Sequence, residues 1–257
     1  MTRNPILKVL LTFKNSGVRS LLIGGQACII YGAAEFSRDA DFAVLASSAN
    51  LARIKNALSD MDAENIYVPP LEKKYLDKGH ACHFRCREES VKGIRIDILS
   101  RMRGCDDFDV LWEKRFTVKP EGGKPVDVIG LEDLVRSKKT QRDKDWFMID
   151  RLVQNDIMLI NNPSGSKIRW RLLECRRADS LNGLVKKHPL IAQKCIRQRP
   201  LIEYAIEENI NSLQPALESE EEAEREKDRQ YWAPLRKELE SLRSREAKKR
   251  RAAKKAD

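Results

Sequence analysis

Two aspartates spaced two apart at the head of an apolar run, Asp39-Ala40-Asp41-Phe42-Ala43-Val44-Leu45, restrict the folds open to this chain more than any other feature. The run reads as a strand, and strand alternation sets Ser37, Asp39 and Asp41 on one face. Carboxylates side by side repel each other and shed hydration unless a cation sits between them. Hard oxygen donors of this kind suit magnesium, which keeps some of its water and completes its shell with substrate phosphates. The plain alternative is a solvated strand edge or turn.

A third acid stands in Ile94-Arg95-Ile96-Asp97-Ile98-Leu99. An Asp among buried isoleucines is costly unless it is paired or metal-bound. Arg95 shares its face by period two, so an ordinary Arg–Asp pair is the competing reading. Upstream, Ser20-Leu21-Leu22-Ile23 runs into Gly24-Gly25. This reads as a strand ending in a tight turn that opens a helix, where bare N–H groups and the lack of a Cβ admit a phosphate.

The set as a whole (Gly24-Gly25, about a dozen residues, Ser37-x-Asp39-x-Asp41, then a later strand with Asp97) resembles the DNA polymerase beta-like nucleotidyltransferase superfamily. Within it, the chain looks like the minimal bacterial branch that includes AbiEii-like toxins. Ile129-Gly130-Leu131-Glu132-Asp133-Leu134-Val135, followed by Lys138-x-x-x-Arg142-x-Lys144-Asp145, is similar to the segment where that branch presents a basic residue to the nucleotide from a helix. Relatives often carry Arg two residues before the Ser, where this chain has Glu35; Arg38 is the available substitute. The resemblance implies that Asp39, Asp41 and Asp97 hold Mg2+ and act in catalysis, with Asp97 helping to deprotonate the attacking hydroxyl. It also implies that Gly24, Gly25 and Ser37 position the phosphates of a nucleoside triphosphate, and that Lys138 and Arg142 neutralise or orient it. The implied acceptor is a tRNA end or another RNA, and the implied partner a cognate antitoxin.

Around these motifs the pattern predicts helices over Pro5–Arg19, Gln26–Ala34, Leu51–Met61 and Asp106–Arg115. Strands are expected at Ser20–Ile23, Asp39–Leu45, 80–87, 93–99 and Pro125–Ile129, the third and fourth as a hairpin. Leu131 to Ile160 reads as one long helix or two. The fold class is therefore α/β (α+β): a small mixed sheet flanked by helices, followed by a helical C-terminal region. Asn161-Asn162-Pro163-Ser164-Gly165 suggests a linker, giving a catalytic domain over 1–160, a helical region over 161–215, and a charged helix with a basic tail over 216–257. Short helices are expected at Ile168–Ala178, Leu190–Ile196 and Pro200–Ile206. Trp232, Leu235, Leu239 and Leu242 recur at coiled-coil-like intervals and read as a packing seam.

No apolar run approaches the roughly 20 residues a bilayer span needs, so a soluble, cytoplasmic protein with no membrane partner is expected. Six irregularly spaced cysteines without a CxxC argue against a disulfide framework. Of the net charge of +10, +6 lies between Arg243 and Asp257, where eight Lys/Arg face two acids. The excess thus concerns the tail, a solvated end able to add salt-sensitive affinity for RNA. His80, Cys82, His83 and Cys86 are spaced wrongly for a compact zinc finger, and alternation sets His83 on the face opposite the others. They read as strand residues with buried thiols. The leading expectation is a magnesium-dependent nucleotidyltransferase. The rival is an inactive relative that binds RNA or protein, and a weaker third reading is transfer of a nucleotide to a partner protein.

Overall fold

The computed structural model describes residues 5–119 and 124–253, which divide into two units. The first takes the residues up to Ile30, Ala34–Ser137 and those from Gln230 onward; the second takes Tyr31–Ala33 and Lys138–Arg229.

The first unit is built on a seven-stranded mixed sheet, with strands β1 (Ser20–Ile23), β2 (Asp39–Val44), β3 (Ala63–Asn65), β4 (Cys82–Cys86), β5 (Arg95–Leu99), β6 (Phe116–Val118) and β7 (Val126–Val128). Their order is β3-β4-β5-β2-β1-β7-β6. The β2/β5 and β1/β7 pairs are parallel, and the other four pairs are antiparallel. The expected hairpin is the antiparallel β4–β5 pair, Cys82 opposite Ile98. The three-residue strands β3 and β6 were not expected.

Helices α1 (Pro5–Asn15), α2 (Gly24–Ile30), α3 (Ser48–Ser59), α4 (Lys73–Leu76), α5 (Phe108–Glu113) and α6 (Leu131–Ser137) accompany the sheet. The first stops at Asn15, short of the expected Arg19, because Gly17 turns the chain at φ 65°. On its inner face Phe13 stacks on Phe42 of β2, ring centroids 4.3 Å apart. The buried Asn50 ties α3 to the sheet: its Oδ1 accepts from Arg19 N–H at 2.8 Å, and its Nδ2 donates to the Arg19 and Leu45 carbonyls at 3.0 and 2.9 Å. Ser47 Oγ accepts from Asn50 N–H and caps this helix.

The even-numbered residues of β2, β4 and β5 (Ala40, Phe42, Val44; Cys82, Phe84, Cys86; Ile96, Ile98) form the buried core face. Burial of that apolar row stabilises the sheet and forces its odd-numbered residues onto the opposite face.

The second unit is helical: α7 (Asp143–Leu159), α8 (Gly165–Glu174), α9 (Ala178–Lys187), α10 (Pro189–Cys195), α11 (Ile202–Ile206) and the part of α12 (Ile210–Ala253) before Gln230. The segment from Leu131 to Ile160 is thus two helices, separated at 138–142. Helix α9 has no counterpart in the sequence reading, and α12 is continuous across the predicted 215/216 boundary. Arg199 is the internal tie: its Nη1 donates to the Leu172 and Cys175 carbonyls at 2.9 Å each, and its Nη2 to Glu220 at 2.7 Å. Such a buried guanidinium needs all these acceptors to offset its desolvation.

The later part of α12 belongs to the first unit. There Leu235 of the predicted seam is buried, and Glu238 accepts from Lys78 at 2.6 Å and faces His80 Nε2 at 3.1 Å. The tail residues Lys254 and Lys255 lie outside the described residues. No described helix is long and apolar enough to cross a membrane.

Candidate active site

Register decides which odd-numbered side chains meet. Asp41 of β2 is paired with Asp97 of β5, and Asp97 in turn with His83 of β4. One row along, Asp39 is paired with Arg95, and Arg95 with Arg85. Cross-strand partners share a face, so Asp39, Asp41, Asp97, Arg95 and His83 form one polar patch over three adjacent strands. The three acids singled out in the sequence are therefore brought together.

Gly24 and Gly25 abut this patch. Gly24 has φ 65°, and a Cβ there would stand 1.9 Å from Asp41 Oδ2. A Cβ on Gly25 would stand 2.4 Å from Ser37 Oγ. The Gly-Gly pair is thus required by the aspartate and serine packed against it, which is a different reason from the phosphate approach expected of it. Ser37 precedes the strand, which begins at Asp39. Its carbonyl accepts from Gln26 Nε2 at 2.9 Å, so α2 and the 35–38 loop are fastened together.

Asp97 is closely held. Arg95 donates to it through a two-pronged fork, Nε to Oδ1 and Nη2 to Oδ2, both at 2.8 Å. His83 Nδ1 lies 2.8 Å from Oδ1. The same Nδ1 also lies 3.0 Å from Arg95 Nη2, so the three side chains form one cluster. Burial pushes the Asp97 carboxyl up, but the His83 and Arg95 hydrogen bonds and charges outweigh it and hold it below the usual value of 3.8. The Arg95 guanidinium is correspondingly raised, first by its bond to Asp97 and also by the charges of Asp39 and Asp41. The Arg–Asp pairing considered as the competing reading is present.

Among the described residues no group of three or more His, Cys, Asp or Glu is arranged to hold a metal ion. The donor chemistry at the patch is nonetheless hard oxygen: Asp39 and Asp41 project together from one strand, while Asp97 is engaged by a guanidinium. Two carboxylates suit a cation that keeps several waters and draws on phosphate oxygens.

Lys138 and Arg142 belong to the second unit and do not lie on a helix as expected; they flank the break before α7. Both turn to the buried Asp145, Lys138 Nζ at 3.0 Å and Arg142 Nε at 2.7 Å, with Thr140 Oγ1 donating at 2.7 Å. Asp145 is 1% exposed in its side chain, so these cations balance a charge the helix has taken out of water. Sequence reasoning missed His83 and understated Arg95. Alternation placed His83 on its face correctly, but only the β4–β5 register sets it opposite Asp97.

Cys82 and Cys86 are buried thiols of β4, as read from the sequence. His80 is also buried, engaged with Glu238.

No protein-family model matches the chain, and no curated protein matches it. Two solved structures from H. pylori are similar. One, a "putative nucleotidyltransferase", is 16% identical with a TM-score of 0.37, covering 88% of this chain and 92% of its own. The other, JHP933, is 16% identical with a TM-score of 0.36, covering 94% of each chain. Likeness at that level carries no inference about fold or activity.

Proposed function

We propose that the polar patch is the active site of a magnesium-dependent nucleotidyltransferase, which moves a nucleoside monophosphate from a nucleoside triphosphate to a hydroxyl acceptor. The supporting observation is the register that aligns Asp41 with Asp97, with Asp39 two residues away on the same face. Asp39 and Asp41 would hold the magnesium, which when bound neutralises the triphosphate and favours departure of pyrophosphate. Asp97 acts at the acceptor hydroxyl as the proton-accepting carboxylate, and the Arg95 fork keeps it ionised and oriented. Gly24, Gly25 and Ser37 form the wall against which the phosphates lie; Lys138 and Arg142, which the resemblance assigns to the nucleotide, pair with Asp145 within the second unit. A tRNA end is the first acceptor to test, and a cognate antitoxin the partner a toxin role implies.

One observation favours the rival reading. Arg95 already supplies a positive charge to the acids, as it would in a relative that has lost its metal and binds RNA or protein without turnover. Manganese titration followed by electron paramagnetic resonance separates the two. Saturable Mn2+ binding lost in Asp39→Asn/Asp41→Asn supports the enzyme; no binding by the folded wild type favours the inactive module.

A further inference from the structure

The helical second unit contains a cavity of about 290 Å³, near the lower end of small-ligand pockets. One wall is a single stripe of α9: Ser180, Gly183, Leu184 and Lys187 recur at i, i+3, i+4 and i+7. The facing wall is apolar, formed by Ile157 and Ile160 near the end of α7 and by Pro163.

Gly183 interrupts a helix, where glycine is disfavoured relative to alanine. A Cβ there would meet nothing within 4 Å, so the missing side chain leaves the cavity unfilled.

Arg171 reaches the cavity from α8 with its side chain 4% exposed. Its Nε donates to Asp156 Oδ2 at 2.7 Å, and its Nη2 to the Asp156 and Ile160 carbonyls at 2.5 and 3.0 Å. These bonds fix the guanidinium and leave Nη1 with no hydrogen bond among the described residues. Lys187, on the rim, likewise has no ion pair among them. Asp156, the carboxylate that Arg171 binds, is also paired with Lys167 at 3.6 Å. His188 also lines the cavity, and its imidazole is held below 6.5 by burial and then by the charges of Lys187 and Arg171.

We infer that this cavity is a binding site for a small phosphate monoester with an apolar or planar body. The phosphate sits between Lys187 and Arg171, and the body lies in the space left by Gly183 against Ile157, Leu184 and Pro163. The cationic end and apolar wall each contribute, so neither a bare anion nor a neutral ring satisfies both. The inference is independent of the acid patch in the first unit.

Isothermal titration of the full chain with phenyl phosphate, in excess EDTA, tests it. Phenyl phosphate is expected to bind saturably, with inorganic phosphate and phenol each about tenfold weaker or more. Gly183→Leu, which fills the space and favours the helix, and Lys187→Gln, a surface change, are each expected to weaken binding about tenfold. Asp39→Asn/Asp41→Asn is expected to leave it unchanged. Absence of saturable binding, inorganic phosphate binding as well as phenyl phosphate, or binding indifferent to both cavity variants would overturn the proposal.

Discussion

The carboxylate of Asp41 occupies the space in which a side chain at Gly24 would stand, 1.9 Å from the position of a Cβ. Gly24→Ala therefore has to move the aspartate and also hold an alanine at φ 65°, for a loss of about 3 kcal/mol. Denaturant unfolding of Gly24→Ala, Asp41→Gly and the double variant checks this. A positive coupling is expected, because removing the Asp41 side chain relieves the clash but leaves the backbone strain. Strictly additive losses would show that the contact does not determine the glycine.

Removing Arg95 leaves Asp97 with His83 as its remaining recorded partner. Arg95→Ala is expected to destabilise the fold by about 1–2 kcal/mol, discounted from a buried pair because the guanidinium is one-third exposed. Arg95→Ala/Asp97→Ala should cost less than the sum of the two single changes. Thermal unfolding of the four proteins measures this.

Asp145 gives the clearest pH dependence. Burial raises its carboxyl, but the charges of Lys138 and Arg142, with the Thr140 bond, hold it below 3.8. A carboxyl lowered in the folded state contributes stability fully above its unfolded value and loses it as pH falls through the folded one. Asp145→Asn is thus expected to destabilise the protein by about 2–3 kcal/mol at pH 7, and the gap from wild type should narrow below pH 4. A gap constant from pH 7 to pH 3 would contradict the pairing. Because Lys138 and Arg142 serve this site, loss of activity in their variants counts as nucleotide contact only when stability is matched.

The thiols should be inert in the folded chain. Burial pushes Cys82 and Cys105 up to about 12 and Cys86 to about 11, so at pH 8 the thiolate of the first two is roughly one part in ten thousand. Alkylation of the buried Cys82 and Cys86, followed by mass spectrometry, should await unfolding; rapid labelling under native conditions would count against their burial.

The sequence and the fold agree where the signal is local. The apolar alternation of Ile94–Leu99 identified β5 and put Arg95 and Asp97 on one face, and the Ser20–Ile23 run identified β1. Contacts set by register were not legible: His83 meets Asp97 through pairing of strands that no local pattern aligns. The three-residue strands β3 and β6 carry too short an apolar alternation to detect, whereas Val126 and Val128 marked β7. The Lys138–Arg142 segment looked helical because its basic residues are spaced by four, yet buried Asp145 gathers both cations just before α7 begins. Helix α9 was missed because Gly183 weakens its propensity.

Nucleotide incorporation tests the central claim most directly. Folded wild type and Asp41→Asn would each be incubated with magnesium, the four labelled triphosphates and total tRNA. The account predicts label on RNA with wild type and a drop of about 10^2-fold or more in the variant, with none in EDTA. Equal label in both proteins, or no label and no magnesium-dependent triphosphate binding by wild type, would contradict it.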